Sequence, residues 1–311
     1  MIKKLFDKEI LFDMKKIGLI AEFNPFHNGH IYLLNKIREK YPQSKIIVAL
    51  SSNYTQRGEI AVASFAKRKA ICKKYGVNQV LKLDFKTSTQ AATVFASNAI
   101  KLLSKHHIDL LFFGVSDTND ISKYINAAKI IKSNKTTYDE NIKRILKSGK
   151  SYVAASFESL RMLISDENIP EDILGFEYTK YIIDNNLDIE LDCIKRTIAH
   201  ASDESNFIYA SGTNLRKMLK EKQDISLYSP MKIKRIKRIE DTYPKFQKIV
   251  KKTDASKLAK ITLMSEGMEN LFKKNINKES YDEFIAACTS KRYTASRIKR
   301  VYLYVLKKIY K

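Results

Sequence analysis

Short apolar runs alternate with helical patterns over the first 115 residues, and this alternation restricts the fold more than any other feature. The runs are KKIGLIAEF, SKIIVALS, VNQVLKL and IDLLFFG. Such runs are typical of buried strands, whereas the segments between them place apolar residues at helical spacing. Because strand–helix–strand repeats form right-handed crossovers, we predict an α/β fold with a doubly wound parallel sheet. Ligands of such sheets bind at the carboxyl ends of the strands, where the strand order switches.

The rest of the chain divides into a continuation of this domain and a helical region. The pattern is mainly helical from about Asp117 to Ser165, and LDIELDCIKR is predicted to be a fifth strand. GTNLRKMLK begins a helix, for which Thr213 is the expected N-cap. Beyond Pro230 only helical patterns are convincing. We therefore predict an α/β domain over 1–228 and a helical domain over 229–311, with 1–13 either an added helix or a stretch upstream of a true start at Met14.

The charge balance of the 311-residue chain is strongly basic. It contains 57 lysines and arginines against 34 acids, a formal net charge of +23. Such an excess indicates a polyanionic partner, either nucleic acid or an anionic membrane surface. A genome rich in lysine codons would instead spread the excess along the chain. Where the cations cluster therefore matters more than their number.

The last 21 residues, KRYTASRIKRVYLYVLKKIYK, hold eight cations, no acid and four tyrosines. Val301, Val305, Leu306 and Ile309 can form the apolar stripe of a helix, which leaves the cations on the other face. A membrane-surface helix, or a basic helix that is only solvated, would show a similar pattern. We predict that the cationic face contacts RNA phosphates through Arg292, Arg297, Lys299 and Arg300.

Cysteine usage and hydropathy favour a cytoplasmic protein. Cys72, Cys193 and Cys288 are far apart, so they show neither metal-ligand spacing nor a disulfide framework. No apolar run reaches the roughly 18 residues that a membrane span needs. The N-terminal segment also lacks the cleavage site of a secretory signal. We predict a cytoplasmic location and no membrane partner.

The stretch FNPFHNGHIYLL places two of the five histidines beside a glycine, directly after the first strand. Pro25 favours a turn, Asn28 can cap the following helix, and Gly29 lets a ligand approach the backbone closely. His27 and His30 then flank the positive end of the helix, which attracts anions. With no third ligand nearby, the pair suits a phosphate better than zinc, so we predict no metal site. A pair of hydrogen-bonded histidines in a structural turn is the alternative.

The H-x-G-H signature resembles that of the nucleotidylyltransferase superfamily, whose members bind ATP and attack its α-phosphate. A fuller set of motifs occurs in order between about residues 16 and 304 and resembles the tRNA(Met) cytidine acetate ligase family over nearly the whole chain. The set consists of GLIAEFNPFHNGHIYLL, SSNYTQRGE, FFGVSD, ILGFEYTKYI, IKR, ASGTNLRKML, EGMENL and KRYTASRIKR.

This resemblance implies a Rossmann-like fold and a reaction in two steps. ATP and acetate form acetyl-adenylate and pyrophosphate, and the acetyl group then passes to the wobble cytidine of elongator tRNA(Met). Mg²⁺ would accompany ATP without a dedicated protein site. His27 and His30 are the implied catalytic donors, worth about 3–4 kcal/mol each by analogy with oxyanion donors. The implied ATP site comprises Ile20, Ala21, Glu22, Phe23, Asn24, Pro25, Phe26, His27, Asn28, Gly29, His30, Gly114, Glu171, Arg196, Ser211, Thr213 and Arg216.

Several positions near the implied site depart from the family's pattern. Glu171-Asp172 stands where relatives tend to have two asparagines, and Ser64-Phe65 stands where they have Asp-Lys. The third strand ends in KLD, and FGVSD replaces FGSE. Two acids beside a triphosphate would repel it unless a metal intervenes. An adenylyltransferase acting on a phosphate-bearing metabolite and a catalytically degenerate tRNA-binding relative therefore remain alternatives.

Overall fold

Five parallel strands form the central sheet of the computed structural model, which describes residues 14–196 and 205–311. They are β1 (Lys16–Ala21), β2 (Lys45–Leu50), β3 (Gln79–Lys82), β4 (Leu110–Val115) and β5 (Glu190–Lys195). The order β3-β2-β1-β4-β5 places the first strand at the centre, with the chain winding outward in both directions. The predicted doubly wound sheet and its five strands are therefore confirmed. The predicted extension over 1–13 lies outside the described residues.

Both faces of the sheet are covered by helices, because successive strand residues point to opposite sides. Ile46 and Val48 pack against α1 (Asn28–Lys40) and α2 (Phe65–Lys74). Ile47 and Ala49 belong to the larger core on the other face. That core is built with α4 (Ala92–Ser104), α5 (Ser122–Ser133), α6 (Lys135–Lys147), α7 (Tyr152–Arg161) and α8 (Ile173–Asp184). Burial on both faces explains why the strands were readable as continuous apolar runs.

The segment after β5 returns the chain to the carboxyl edge of the sheet. It contains the short strands β6 (Ser205–Asn206) and β7 (Tyr209–Ala210), followed by helix α9 (Gly212–Lys220). The chain then runs without regular structure to a 3₁₀ turn at Glu240–Thr242. Within this run Ser229 Oγ donates to the carbonyl of Phe26, and Met231 is buried in the core beside β1. The run is therefore fastened to the histidine stretch.

The C-terminal region is helical, as predicted, and has a hydrophobic core of its own. Its helices are α10 (Tyr243–Lys252), α11 (Ala255–Leu258), α12 (Met268–Asn275), α13 (Tyr281–Cys288) and α14 (Ala295–Lys307). The core starts at Ile239, whereas Ser229 and Met231 still pack against the sheet domain. The proposed domain limit at residue 228 stays a prediction.

Helix α14 is buried on most sides, which differs from the expected two-faced helix. Tyr302 and Tyr304 are both 0% exposed and belong to the helical core. The helix also packs on α3 (Phe85–Ser88), where the rings of Phe85 and Tyr304 lie 5.1 Å apart. Two of the four tyrosines that suggested an RNA-facing surface therefore fill the interior.

The three cysteines are separate, buried thiols. Burial raises the pKa of each to about 12, which leaves them protonated and unreactive at neutral pH. Within the described residues, none of the helices combines the length and apolarity that crossing a bilayer requires.

Candidate active site

The carboxyl ends of β1 and β4 lie side by side at the centre of the sheet, and the strand order switches there. The crossover from β1 leads to β2 on one side, while β4 and β5 extend the sheet on the other. The two connections diverge and leave a crevice, which is where such sheets bind ligands. The histidine stretch follows β1 directly, and Gly114 lies near the end of β4. The fold thus brings both implied site segments to one edge.

His27, rather than Asn28, is the N-cap of α1, so the expected cap was wrong by one residue. The N–H of Gly29 donates to His27 Nδ1 (3.1 Å), and the N–H of His27 donates to His30 Nδ1 (3.1 Å). The two rings stack with centroids 3.7 Å apart. Because each Nδ1 accepts a hydrogen bond, each neutral ring carries its hydrogen on Nε2. Both imidazoles are thereby oriented as Nε2–H donors.

Several residues of the histidine stretch hold the loop rather than face a ligand with their side chains. Asn28 Nδ2 donates to the carbonyls of Ile208 (2.7 Å) and Leu227 (3.0 Å), which joins the loop to the segment around α9. Asn24 Oδ1 accepts the N–H of Val62 (2.8 Å). Phe26 is 0% exposed. An ATP contact at these positions would have to come from the backbone.

The start of α9 faces the histidines, so the second implied phosphate segment also reaches this edge. Its N-cap is Ser211, whose Oγ accepts the N–H of Asn214 (3.0 Å). Thr213, the expected cap, lies inside the helix, and its Oγ1 accepts from Arg216 (3.1 Å). Ser211 precedes the first free N–H groups and can therefore make the cap that Thr213 cannot.

Arg216 and His27 converge above Gly212. Arg216 Nη1 donates to the carbonyl of Asn24 (3.0 Å). A methyl group placed on Gly212 would lie 3.2 Å from Arg216 Nη1 and 3.9 Å from His27 Nε2. Because Gly212 has no side chain, there is a space beside it that is bordered by the Arg216 guanidinium, the His27 imidazole and the N-terminus of α9. Such a set of donors suits an anion with several oxygens.

Arg196 covers the end of β4, where it meets Gly114 and Asp172. Its Nη2 donates to the Gly114 carbonyl (2.7 Å), and its Nη1 pairs with Asp172 Oδ2 (2.8 Å). Asp172 Oδ1 also caps α8 by accepting the N–H of Gly175 (2.8 Å). Glu171 is exposed, with Oε2 3.5 Å from Ser116 Oγ. Arg196 therefore neutralises the charge of Asp172, so Glu171 is the one of these two acids that is still expected to repel a triphosphate.

Ser64, another departure from the family's pattern, is the N-cap of α2. Its Oγ accepts the N–H of Lys67, although the contact is long at 3.3 Å. Lys82 makes a cation–π contact with Phe65, with its Nζ 5.3 Å from the ring centroid. These two substitutions thus have local structural roles beside the crevice.

A buried arginine that the sequence analysis missed lies beneath the site. Arg68 is 0% exposed and donates to the carbonyls of Glu22 (2.5 Å), Ala63 (3.0 Å) and Ser52. It thereby holds together the chain that leaves β1 and the chain that leaves β2. Burial lowers the pKa of Arg68 to about 10, which Glu22 partly opposes. The sequence did not distinguish it, because Arg68 stands between Lys67 and Lys69 in a short run of cations.

Glu22 lies at the end of β1 among several cations. Burial raises the pKa of its carboxyl, while the N–H of Gln56 and the charges of Arg216, Arg57 and Arg68 oppose that shift. The N–H of Gln56 donates to Glu22 Oε1 (2.6 Å). Glu22 therefore links the β1 end of the site to the loop that follows β2.

The four cations expected to bind RNA are all engaged within the protein. Arg300 is 8% exposed and donates to the carbonyl of Gln56 (3.1 Å), and Lys299 pairs with Glu59 (2.9 Å). Both side chains face the sheet domain, an arrangement that does not favour the RNA contact predicted for them, and that contact stays a prediction. Arg292 and Arg297 lie at the surface, 3.1 Å and 3.6 Å from Glu266 Oε2. Those two stay predictions.

A second basic run, KIKRIKR at 232–238, was overlooked in the sequence although its composition marks it clearly. Its five cations are exposed: Lys232, Lys234, Arg235, Lys237 and Arg238. The run directly follows Met231, whose sulfur accepts the N–H of Phe26 (3.3 Å). It therefore begins beside the histidine stretch.

Across the two described ranges, no three His, Cys, Asp or Glu side chains come together as they would around a metal ion. The charged groups at the crevice are mainly cationic, which fits an anionic substrate.

Comparison with known proteins places this geometry in a family. The model of the HIGH nucleotidyl transferases matches residues 14–311. The chain is 49% identical over 301 residues to the tRNA(Met) cytidine acetate ligase of Mycoplasmopsis synoviae, an alignment that covers 95% of this chain and 98% of that protein. It is 51% identical over 292 residues to the protein of the same name from Mycoplasmopsis pulmonis, covering 93% and 98%.

A solved structure agrees with these relatives. Thermotoga maritima TmcAL, crystallised with alpha-thio ATP, is 27% identical and superposes with a TM-score of 0.85 over 96% of this chain and 76% of its own. The resemblance noted in the sequence is thereby confirmed. This chain belongs to the tRNA(Met) cytidine acetate ligase family of the HIGH nucleotidyl transferases.

Proposed function

We propose that this chain is an ATP-dependent ligase that activates acetate as acetyl-adenylate and acetylates the wobble cytidine of elongator tRNA(Met). The observation that carries the proposal is the convergence of His27 Nε2 and Arg216 Nη1 above Gly212 at the start of α9. Two segments almost 190 residues apart supply it, each at the position that the family's motifs occupy. ATP binding is further supported by the TmcAL structure with alpha-thio ATP.

In the first step a carboxylate oxygen of acetate forms a bond to the α-phosphorus of ATP. The bond from that phosphorus to the bridging oxygen breaks, and pyrophosphate leaves with the electron pair. Negative charge grows on the phosphate oxygens, where His27 and His30 would donate from Nε2–H and Arg216 from its guanidinium. Donors fixed in advance by Nδ1 bonds need no reorganisation during the reaction.

We propose that Mg²⁺ enters as part of the nucleotide substrate, bound mainly by phosphate oxygens. The cationic side chains at the crevice suit the phosphates themselves, and the exposed carboxylate of Glu171 lies beside Ser116, just after β4. The chain's own contribution is to orient the phosphates through its histidines, arginines and helix starts.

In the second step the exocyclic amine of cytidine attacks the acetyl carbonyl, AMP leaves, and the amine loses a proton. The RNA must reach the crevice across the surface beside it. We propose that Lys232, Lys234, Arg235 and Lys237 contact its phosphates, together with Arg292 and Arg297. The first four follow Met231 next to the histidine stretch, so RNA held there would lie close to the site. A cytoplasmic location fits this substrate and the three free thiols.

Pyrophosphate exchange into ATP tests the proposed function and separates it from its alternatives. An acetate ligase should exchange in the presence of acetate and Mg²⁺ without tRNA, because acetyl-adenylate formation is reversible. An adenylyltransferase of a phosphorylated metabolite should ignore acetate. A degenerate tRNA binder should exchange with neither while still shifting tRNA(Met) in a gel.

Addition of tRNA(Met) should then give a gain of one acetyl group on the anticodon cytidine. The ion pair between Asp172 and Arg196 favours an active enzyme, since it removes one of the two acidic departures as an unbalanced charge. Exchange that is independent of acetate would contradict the proposal.

A further inference from the structure

Residues 55–59 form a tight loop that joins the catalytic edge of the sheet to helix α14. Three of the four polar groups of Gln56 form hydrogen bonds in different directions. Its N–H donates to Glu22 (2.6 Å), its carbonyl accepts from Arg300 (3.1 Å), and its Nε2 donates to the carbonyl of Gln90 (3.0 Å). The position of this loop relative to β1 is therefore determined by the protein's own contacts.

The residues that follow the loop's tip are held as firmly. Gly58 has φ +80, and a methyl group on it would lie 2.6 Å from the backbone nitrogen of Arg300. Only glycine permits this backbone and this close approach. The N–H of Glu59 donates to Thr55 Oγ1 (3.1 Å), and its carboxylate pairs with Lys299 (2.9 Å). These contacts make the loop rigid and pack it against α14.

Arg57 lies in this rigid loop, between Gln56 and Gly58. Its side chain is exposed, and within the described residues no acceptor takes a hydrogen bond from it. Its guanidinium acts electrostatically on Glu22, Glu59 and Arg216. Burial lowers the pKa of Arg216, and the like charge of Arg57 lowers it further.

Cations outnumber carboxylates around this position. The Glu22 and Glu59 carboxylates are surrounded by Arg57, Arg68, Arg216 and Lys299. Two guanidiniums that repel each other at a crevice are stabilised when an anion binds between them. The surroundings of Arg57 therefore favour an anionic ligand.

We propose that Arg57 binds the reacting oxyanions of the activation step, the substrate carboxylate or the α-phosphate that it attacks. This inference rests on the proposed function and assigns it a further catalytic residue. Arg57 follows β2, on the opposite side of β1 from Gly114 and Arg196. Gly114 and Arg196 place part of the implied ATP site on the β4–β5 side, which leaves the β2 side of the crevice for the carboxylate.

The chemistry of a guanidinium suits this position. Its parallel N–H groups can hold a carboxylate in a fork, or bridge a carboxylate and a phosphate oxygen. Two anions that must come into bonding contact repel each other, and a cation between them lowers that repulsion. Arg57 would donate hydrogen bonds only and would transfer no proton.

The test uses the full chain in acetate-dependent pyrophosphate exchange without tRNA. Arg57→Ala should lower the exchange rate by about 10²-fold, the usual loss of one oxyanion donor. Arg57→Lys should recover only part of it, because an ammonium cannot form the fork. A raised KM for acetate would assign the contact to the carboxylate, and a lowered kcat at unchanged KM would assign it to the α-phosphate. Arg144→Ala, on the outer helix α6, is the matched control and should exchange normally.

Wild-type rates and constants in Arg57→Ala would overturn the inference. So would normal exchange combined with a smaller salt dependence of tRNA binding, since Arg57 would then contact RNA. An inactive wild type would instead overturn the proposed function and the inference that depends on it. The comparison of each variant with wild type in one assay distinguishes these failures.

Discussion

His27 and His30 serve the fold through one ring nitrogen and, in the proposed reaction, the substrate through the other. The Nδ1 atoms form a capping arrangement at the start of α1, with His27 as cap and His30 three residues on. Serine or threonine with glutamate makes the usual version of this arrangement. Histidine supplies the same acceptors and leaves an Nε2–H donor on each ring. The spacing of H-x-G-H therefore has a local structural reason.

Separating these two roles gives the first prediction. His27→Ala should lower exchange by about 10²–10³-fold, since it removes an oxyanion donor, and should cost about 1 kcal/mol of stability through the lost cap. His27→Asn should restore stability, because asparagine is a good cap, but not exchange. Urea unfolding and exchange rates on the same preparations measure both. His106→Ala, away from the crevice, serves as the control, and recovery of turnover by asparagine would contradict the catalytic role.

Glu22 and Glu59 should make stability depend on pH with opposite signs. Burial raises the folded pKa of Glu22 above its ordinary value of 4.5, so its contribution to stability falls as the pH rises from 4.5 through the raised value. Burial also acts on Glu59, but Lys299 prevails and lowers its pKa, so its contribution falls as the pH drops through the lowered value toward acid.

Glutamine variants test the two signs. Relative to wild type, Glu22→Gln should become more stable as the pH is raised above 4.5, while its amide oxygen can still accept the N–H of Gln56. Glu59→Gln should lose relative stability as the pH is raised from strongly acidic values. Urea unfolding across the pH range measures both differences, and equal signs for the two variants would refute the assignment.

At the scale of elements, the contact between α14 and the loop after β2 connects the helical core to the carboxyl edge of the sheet. Arg300 is central to it, since its guanidinium reaches the Gln56 carbonyl from a buried position. Burial lowers the pKa of Arg300 to about 10, and the nearby Arg297 adds to that shift. A buried cation of this kind contributes little to stability. We expect Arg300 to act instead by fixing the position of the loop after β2.

Arg300→Met tests this positioning role. The variant fills the same space and removes a costly buried charge, so its stability should stay within about 1 kcal/mol of wild type. Its exchange rate should nevertheless fall severalfold, with an effect that largely disappears when Arg57 is already alanine. Lys299→Met, which removes only a partly exposed ion pair, should cost about 0–1 kcal/mol and little activity. A strongly destabilised Arg300→Met with normal exchange would show a purely structural role.

At the scale of the whole molecule, some cations are buried and form hydrogen bonds inside the protein, whereas others are exposed at its surface. Cations such as Arg68 and Arg300 hold segments together, while Lys232 to Arg238 lie at the surface. Only exposed cations can release counterions from RNA. The basic run beside the histidine stretch is therefore the surface expected to govern tRNA affinity.

Replacing Lys234, Arg235 and Lys237 with glutamine should weaken tRNA binding and reduce its salt slope by roughly one unit per lost contact. Acetate-dependent exchange without tRNA should be unchanged. The matched control replaces Lys143, Arg144 and Lys147 of α6, which changes the net charge equally on another surface. Equal slopes for the two triple variants would mean that the run makes no contact with RNA.

The strands, the helical C-terminal region and the histidine stretch could be predicted because their signals are local. A strand buried on both faces, as at Ile46 to Leu50, must be apolar throughout. The motif residues His27, Gly114 and Arg216 were identified by resemblance, and the adjacency of β1 and β4 explains why the histidine stretch and Gly114 lie at one edge of the sheet. The cap positions expected at Asn28 and Thr213 were each wrong, since the caps are His27 and Ser211. Composition favours several residues near a helix start, and only the backbone angles decide which one is the cap.

The sequence by itself determined the class of fold, the family and the edge of the sheet at which the site lies, since periodicity and motif order are properties of short segments. Only the tertiary structure decided which cations are available to a ligand. Lysine and arginine have long side chains whose direction depends on the surfaces they meet. Arg300 points inward because α14 packs on the loop after β2, and Arg57 points outward because that loop is held at Gln56 and Gly58. A charge run in the sequence cannot record that difference, because it arises from contacts between residues more than 200 positions apart.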